Sequence, residues 1–318
     1  MSIRRRPSVS TSNVVDSTVR VGTVALSNPV MPASGTAGHG TELHKYVDLA
    51  SLGAVVVKSL AAEPWAGNPP LRVHQTPAGM INSVGLQGPG VARWRADELP
   101  ALLATGARVV ASIWGRGVDE YRRAAELLAD APDGVVAVEI NLSCPNLSGH
   151  GIFAQSAADS AAVIAATEVV GRPRWAKLTP MVTDLPAIAA AVVDAGADAL
   201  TLTNTVPAMS IDPETRRPRL GGGAGGLSGP AIHAVAVRAV HDCRAALPDV
   251  PIVGVGGIAR GVDAVEMMMA GAQAVQVGTA NFADPRACAR VRDEMVEWCR
   301  THGVTSMSQL TGAAHGHE

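Results

Sequence analysis

Aromatic side chains are scarce in this chain: 5 Trp, 2 Tyr and 2 Phe among 318 residues. A core of this size must then be filled by Ala, Val, Leu and Ile, which supply most of a 47% hydrophobic composition. An excess of one charge is also missing. With 26 Lys and Arg against 28 Asp and Glu, the formal net charge is −2. Neither nucleic acid nor an anionic membrane gains a general attraction from that balance. No apolar run reaches the length of a bilayer span without a charge or a turn residue. Cysteine is limited to Cys144, Cys243, Cys288 and Cys299, with no CxxC pair. A disulfide framework is therefore not expected, and a reduced, cytoplasmic protein is the default. The basic start Met1-Ser2-Ile3-Arg4-Arg5-Arg6-Pro7 has no apolar stretch behind it, so no secretory signal is expected there. Residues 1–15 read as a flexible polar tail and residues 16–318 as one catalytic unit.

What is present is a repeated pattern. Val19 to Leu26 reads as a small hairpin turning at Gly22. Eight short apolar runs follow, each ending in polar residues or Gly. Pro29–Ala33 leads into Ser34-Gly35-Thr36, and Gly53–Val57 into Lys58-Ser59. Arg108–Ala111 ends at Ser112, Val135–Ile140 at Asn141, and Arg174–Ala176 at Lys177-Leu178-Thr179-Pro180. Ala199–Thr203 ends at Asn204-Thr205, Pro251–Val255 at Gly256-Gly257, and Ala274–Val277 at Gly278-Thr279. Between them lie segments of helical period: 43–52, 118–128, 157–169, 185–195, 231–246 and 261–270. Asp184 suits an N-cap, and Gly196 and Gly271 suit helix ends.

Near-continuous apolar runs are what parallel strands buried on both faces require. Eight βα units predict an α/β protein of the (β/α)8 TIM-barrel class, with a doubly wound open sheet as the alternative. The polar residues sit at the C-terminal strand ends, where barrels build their sites. Two long connections, 60–100 and 205–229, are expected to cover that face as a lid and a subunit contact.

Several strand ends carry chemistry. Gly256, Gly257, Gly278 and Gly229 would let backbone N–H groups approach a phosphate. Lys58 and Lys177 end central strands, where an ammonium requires an anionic or polar partner. Asn82, Asn141, Asn146 and Asn204 offer paired donors and acceptors for a planar polar ligand. A cap or a turn is the ordinary role of any one of them. Cys144 is the candidate acid/base or nucleophile. Cys243, Cys288 and Cys299 lie in helical-looking segments and receive no role. Solvated loop positions are expected for His39, His74 and His150, and only weak, nonspecific metal binding for the tail around His315 and His317. No metal site is assigned.

The run Asn141-Leu142-Ser143-Cys144-Pro145-Asn146 resembles the active-site motif of class 1 dihydroorotate dehydrogenases. The likeness extends from about Val21 to His315. It includes Pro32–Thr36, Lys58-Ser59, Gly67–Val73, Thr76–Gly79, Asn82–Gln87, Lys177–Pro180, Thr203–Thr205, Gly225–Ile232 and Val255–Ile258. The segments around Gly67 and Gly85 are similar to the 1B subgroup, whose catalytic subunit works with an iron–sulfur flavoprotein and NAD. The resemblance implies FMN over the strand ends of the barrel. It implies that Cys144 removes a proton from C5 of dihydroorotate while a hydride passes from C6 to flavin N5, giving orotate for pyrimidine biosynthesis.

By the same resemblance Asn82, Asn141, Asn146, Asn204 and Thr205 hold the pyrimidine, with Val84, Gly85 and Leu86 beside it. Lys58 serves flavin and substrate. Lys177 faces negative charge on the reduced flavin. Ala33, Ser34, Gly35, Ser59, Ser112, Asn141, Thr203, Gly229, Gly256, Gly257, Gly278 and Thr279 line the FMN. A homodimer is implied, and neither nucleic acid nor membrane is a partner. Gly88, Met181 and Ser112 each stand where the family pattern often has Asn. The electron acceptor stays open between NAD through a partner subunit, fumarate and a quinone. Another dihydropyrimidine as substrate, and a non-catalytic flavin-binding subunit, are the alternatives.

Overall fold

A computed structural model describes residues 14–143 and 153–316. The eight apolar runs form one parallel sheet. Its strands are β1 (Val30–Pro32), β2 (Val55–Val56), β3 (Val109–Ile113), β4 (Val135–Asn141), β5 (Arg174–Leu178), β6 (Ala199–Leu202), β7 (Ile252–Val255) and β8 (Ala274–Val277). The order across the sheet is β1-β8-β7-β6-β5-β4-β3-β2, so the first two strands meet at the remaining seam. The Gly53 N–H, just before β2, donates to the Val30 carbonyl at 2.9 Å and closes that seam. This is the (β/α)8 barrel, and the open-sheet alternative is excluded. All four residues of β6, β7 and β8 are buried, as strands covered on both faces must be.

The crossover segments are α1 (Val91–Asp97), α2 (Leu99–Ala104), α3 (Val118–Glu126), α4 (Ala157–Ala166), α5 (Leu185–Asp194), α6 (His233–Ala246), α7 (Gly261–Met269), α8 (Ala280–Ala283) and α9 (Ala287–Thr301). Asp184 caps α5 as expected, its side chain accepting from the Ala187 N–H at 3.0 Å. Among the described residues no helix is long and apolar enough to cross a membrane. The hairpin Val19–Val21/Val24–Leu26 pairs as expected about Gly22, whose φ is +57°. It lies across the N-terminal ends of the strands, with Gly22 close to Asp198 and Pro251 and with Arg108 donating to the Ala25 carbonyl.

Three expectations need correction. The segment 43–52 is not one helix but two 3₁₀ turns, Glu42–Lys45 and Leu49–Ser51. Asp48 takes an extended conformation between them and accepts from the Ala50 N–H, the local competition that makes Asp a helix breaker. The connection 60–100 is not a bare loop. It carries α1 and α2, whose Trp94, Leu99 and Leu102 are buried, and Pro100 falls in the first turn of α2, where it is tolerated. Val15, placed in the tail by its sequence, is buried, and Asp16 pairs with Ser306.

The seam is the tightest test of this architecture. A Cβ on Gly53 would lie 2.3 Å from the Asn28 carbonyl oxygen, a backbone atom that cannot swing aside. Gly53→Ala is expected to destabilise the barrel by about 1–3 kcal/mol. Urea unfolding should show a lower midpoint with an unchanged slope, and an unchanged midpoint would show that the seam is not closed here.

Candidate active site

The C-terminal ends of the strands converge on one cleft with about 1060 Å³ of empty space, part of it open to solvent. From β1 come Ala33, Ser34 and Gly35, and from β2 Lys58 and Ser59. Asn141 ends β4 and Lys177 lies in β5; Thr203, Asn204 and Thr205 follow β6, Gly256 and Gly257 follow β7, and Gly278 and Thr279 follow β8. Asn82, Val84, Gly85, Leu86 and Gly229 arrive from the two long connections. Ser112 is the one described residue of the expected set that does not line the cleft. Cys144, Asn146 and His150 lie outside the described residues.

The floor of the cleft is an ordered polar network. Strand register places Ser112 opposite Glu139 and Asn141 opposite Lys177, so these side chains share the inner face. Glu139 is completely buried. Its Oε1 pairs with Lys177 Nζ at 3.3 Å and accepts from Ser112 Oγ at 3.2 Å. Its Oε2 accepts from Gln276 Nε2 of β8 at 2.8 Å, across the barrel. Ser59 Oγ lies 2.9 Å from Ser112 Oγ and 3.1 Å from Ser34 Oγ, and Asn141 Nδ2 donates to it at 3.3 Å. Asn204 Nδ2 donates to Asn141 Oδ1 at 3.0 Å, and the Thr205 N–H donates to Asn204 Oδ1 at 2.8 Å.

The direction of this chain is set at both ends. The backbone N–H of Thr205 can only donate, and the Glu139 carboxylate paired with Lys177 can only accept. Ser112 therefore donates to Glu139, Ser59 to Ser112, and Ser34 to Ser59. Behind the network, the buried Tyr121 hydroxyl of α3 donates to the Asn141 carbonyl at 2.7 Å and steadies the end of β4.

The two lysines differ. Lys177 is paired with Glu139. Lys58 has no acidic partner among the described residues, and burial together with the Arg72 guanidinium lowers its pKa. Its neighbour His39 was expected in solvent. Instead its Nε2 is buried with no hydrogen-bond partner among the described residues, and burial plus the Lys58 charge lower its pKa. His74 lies in the outer hairpin and does not line the cleft. His315 is not a free tail residue: its ring stacks on His241, with centroids 4.1 Å apart, and its Nε2 lies 2.9 Å from the Ala270 carbonyl. Burial pushes the thiols of Cys243 and Cys288 up to about 12, which suits the absence of any role for them.

The long connections build a wall together. Val73–Thr76, Gly79–Asn82, Val206–Ala208 and Gly225–Ser228 form one antiparallel sheet beside the mouth. Asn82 Nδ2 donates to the Gly226 carbonyl at 3.3 Å, so part of its amide serves this sheet. The segment from Val84 to Leu86 is braced by Trp65, whose Nε1 donates to the Gly85 carbonyl at 3.0 Å. Trp65 packs edge-on against Trp114, with Arg116 over its ring at 4.8 Å. Leu86 has a φ of +61°, a strained value for a side chain of its size.

Gly257, with a φ of +69°, is required by packing as well as by any ligand, since a Cβ there would lie 2.6 Å from that of His233. Gly35 is the opposite case: a Cβ there would meet nothing within 4 Å. Ser228, which the run Leu227-Ser228-Gly229 offered as a further source of N–H donors, also lines the cleft. Sequence reasoning gave no role to Thr36, Val73, Met80, Ile232, Val255 and Phe282, which line it too. Nor did it single out Glu139, whose signal was a lone carboxylate inside the apolar run Val135–Ile140.

The family model for dihydroorotate dehydrogenase matches residues 17–298. The chain belongs to the dihydroorotate dehydrogenase family. It is therefore an oxidoreductase, and the class 1 resemblance is borne out. The catalytic subunit of dihydroorotate dehydrogenase B (NAD(+)) from Desulforudis audaxviator is 48% identical over 303 residues, covering 95% of this chain and 98% of that protein. The subunit of the same name from Geobacter sp. strain M21 is 44% identical over 300 residues, covering 94% and 98%. A putative dihydroorotate dehydrogenase A (fumarate) from Solibacter usitatus is 45% identical over 291 residues, covering 91% and 95%.

The three departures from the family pattern have defined places. A Cβ on Gly88 would lie 3.4 Å from His39 Nε2, so a longer side chain there would stand against that ring. Met181 is 46% exposed, and the loss of an amide there leaves no buried gap. Ser112 sits below the floor, in the hydroxyl chain to Glu139.

Lys58 yields a prediction whose sign follows from its lowered pKa. Between the lowered and the usual lysine values the unfolded chain binds more protons, so stability rises with pH through that window. Where the ammonium is protonated, its burial costs stability. Lys58→Met is expected to melt higher than the wild type at neutral pH in the absence of ligand, with the gap shrinking at alkaline pH. Thermal melts at both pH values check this; a gap independent of pH would exclude the ammonium as the cause.

Proposed function

We propose that the protein oxidises dihydroorotate to orotate with FMN, in the pyrimidine biosynthesis of the cytoplasm. The observation that carries this reading is one cleft joining Lys58, a half-buried lysine with no acidic partner among the described residues, to the coupled amides of Asn141 and Asn204. An anionic, amide-rich ring is the ligand for which that set is suited: Lys58 meets a carboxylate and the Asn side chains meet N–H and C=O edges.

The residues present also fit a flavin. The Thr203 hydroxyl is buried with no hydrogen-bond partner among the described residues, and the chain at Gly35 leaves open space that a side chain would occupy. Ser34, Gly35, Ser59, Lys177 and Thr203 would hold the ring system, and the turns at Gly229, Gly256, Gly257, Gly278 and Thr279 the phosphate. When bound, FMN supplies the hydride acceptor, taking the hydrogen at C6 of the substrate with its electron pair.

The chain's own residues would do the rest. Cys144 would take the proton from C5. Lys58 would fix the carboxylate of the substrate, and Asn82, Asn141, Asn146 and Asn204 the orientation of its ring, with Thr205 beside them. Val84, Gly85 and Leu86 would keep water from the reacting carbons. Two relatives bear the name of a B-type NAD(+) catalytic subunit. We therefore read the electron acceptor as NAD, reached through an iron–sulfur flavoprotein partner. The A-type relative makes fumarate the other acceptor to assay. The exposed Leu71, Val73, Met209 and Ile211 on the outer wall suit the contact of a homodimer.

Purified protein should be yellow and should bleach anaerobically with dihydroorotate. Bleaching by dihydrouracil alone would reassign the substrate, and failure to bleach with either would mark a non-catalytic flavin protein. Cys144→Ala should retain the flavin but reduce it at least about 100-fold more slowly in stopped flow. Unchanged reduction kinetics would remove Cys144 from the chemistry.

A further inference from the structure

Glu139 is a carboxylate with no exposure, in the interior of an aliphatic barrel, and nothing in the reaction uses it. Each of its contacts is specific. Lys177 Nζ lies at 3.3 Å, Ser112 Oγ at 3.2 Å and Gln276 Nε2 at 2.8 Å. Gln276 turns its amide nitrogen to the carboxylate and leaves its own Oε1 buried, with no hydrogen-bond partner among the described residues. That arrangement sacrifices one acceptor to hold an anion in place. Replacing such an ion pair by apolar side chains is often neutral or stabilising, so stability alone does not explain it.

We infer that Glu139 is a positioning residue that sets the positive charge felt at the floor of the cleft, by holding the Lys177 ammonium from below. The inference rests on the reading that a flavin occupies the cleft. Lys177 lines the cleft and is 7% exposed, so its charge is poorly screened by water. With the anion in place, much of the ammonium's field is cancelled. Without it, the same lysine would stabilise added electron density on the ring system much more strongly. Lys58, at the rim, has no such partner among the described residues. The two lysines of the cleft thus differ: Lys58 is left for the substrate, and Lys177 is restrained under the cofactor.

The experiment uses the full chain reconstituted with FMN, alongside Glu139→Gln and the double variant Glu139→Gln/Lys177→Met. Two quantities are read without turnover: the flavin midpoint potential, by spectroelectrochemical titration, and the affinity for sulfite, an anion that combines with oxidised flavin more tightly where the surroundings are more positive. E139Q should bind sulfite at least tenfold more tightly and shift the potential upward; a tenfold change in a two-electron equilibrium is about 30 mV. Flavin-loaded E139Q with wild-type potential and sulfite affinity overturns the inference. If E139Q does not fold, E139Q/K177M is compared with the wild type. Removing both members of a pair whose fields largely cancel should leave sulfite affinity within a few-fold, and a tenfold or greater loss in the double variant would show an unrestrained ammonium and overturn the inference. A wild-type chain that takes up no flavin overturns the functional reading and this inference with it, an outcome separate from equal potentials in loaded proteins.

Discussion

The pairing of Glu139 with Lys177 is the constraint around which this barrel's upper half is arranged. Two charges out of water are costly, and their mutual attraction offsets that cost only when the remaining lone pairs and protons are also satisfied. The fold meets that condition by drawing partners from β3, β4, β5 and β8. Ser112, Glu139, Lys177 and Gln276 lie far apart in sequence and meet only inside a closed cylinder. Closure at Gly53 and polarity at the cleft floor are therefore linked: a barrel open between β1 and β2 would admit water to the carboxylate and weaken its hold on the ammonium.

From that pair the polarity of the site spreads outward. The carboxylate makes Ser112 a donor, which makes Ser59 a donor, which leaves Ser59 to accept from Ser34 and Asn141. From the other side the Thr205 N–H orients Asn204, and Asn204 orients Asn141. The two lines of constraint meet at Asn141 and agree, so its amide has one orientation. A site built this way is ordered before any ligand arrives, and a preorganised polar site is the kind that favours charge development over ground-state binding. Lys58 is the exception. Among the described residues it has no carboxylate partner, and burial together with the Arg72 charge lowers its pKa.

Much of this was legible in the sequence, for physical reasons. Apolar runs such as Ala274–Val277, closed by Gly278, can be little else than buried parallel strands, so the barrel followed from periodicity. The lining residues at Lys58, Asn141 and Asn204 followed because polar side chains directly after such runs must face the open end. Other features were hidden. Asp48 breaks the helix expected over 43–52 through a hydrogen bond to its neighbour's backbone, which hydrophobic period does not register. Trp94, Leu99 and Leu102 were read as loop because Pro100 and the nearby glycines masked a short helical pattern. His39 looked like a solvated loop residue because the groups set beside it, Lys58 and Gly88, come from other segments of the chain. Glu139 was overlooked because a single carboxylate in an apolar strand acquires its meaning only from partners on other strands.

The scarcity of aromatic residues bears on the same point. A barrel packed with small aliphatic side chains has few large planar groups to shape a cavity, and this one places its aromatics selectively. Tyr121 lies beneath Asn141, Trp94 of α1 is buried against the loop at His39, and Trp65, packed edge-on against Trp114, holds the carbonyl of Gly85. Trp94 donates to the His39 carbonyl at 2.7 Å, as Tyr121 does to that of Asn141. Tyr121, Trp94 and Trp65 are thus each used as a rigid strut with one polar end, fixing a backbone carbonyl near the cleft while the apolar body packs behind. The small side chains make the cylinder, and the few large ones stop its rim from moving. The strained Leu86 shows why this is needed. A left-handed leucine persists only where the surroundings over-determine it, and here the Trp65 hydrogen bond to the preceding residue supplies that restraint.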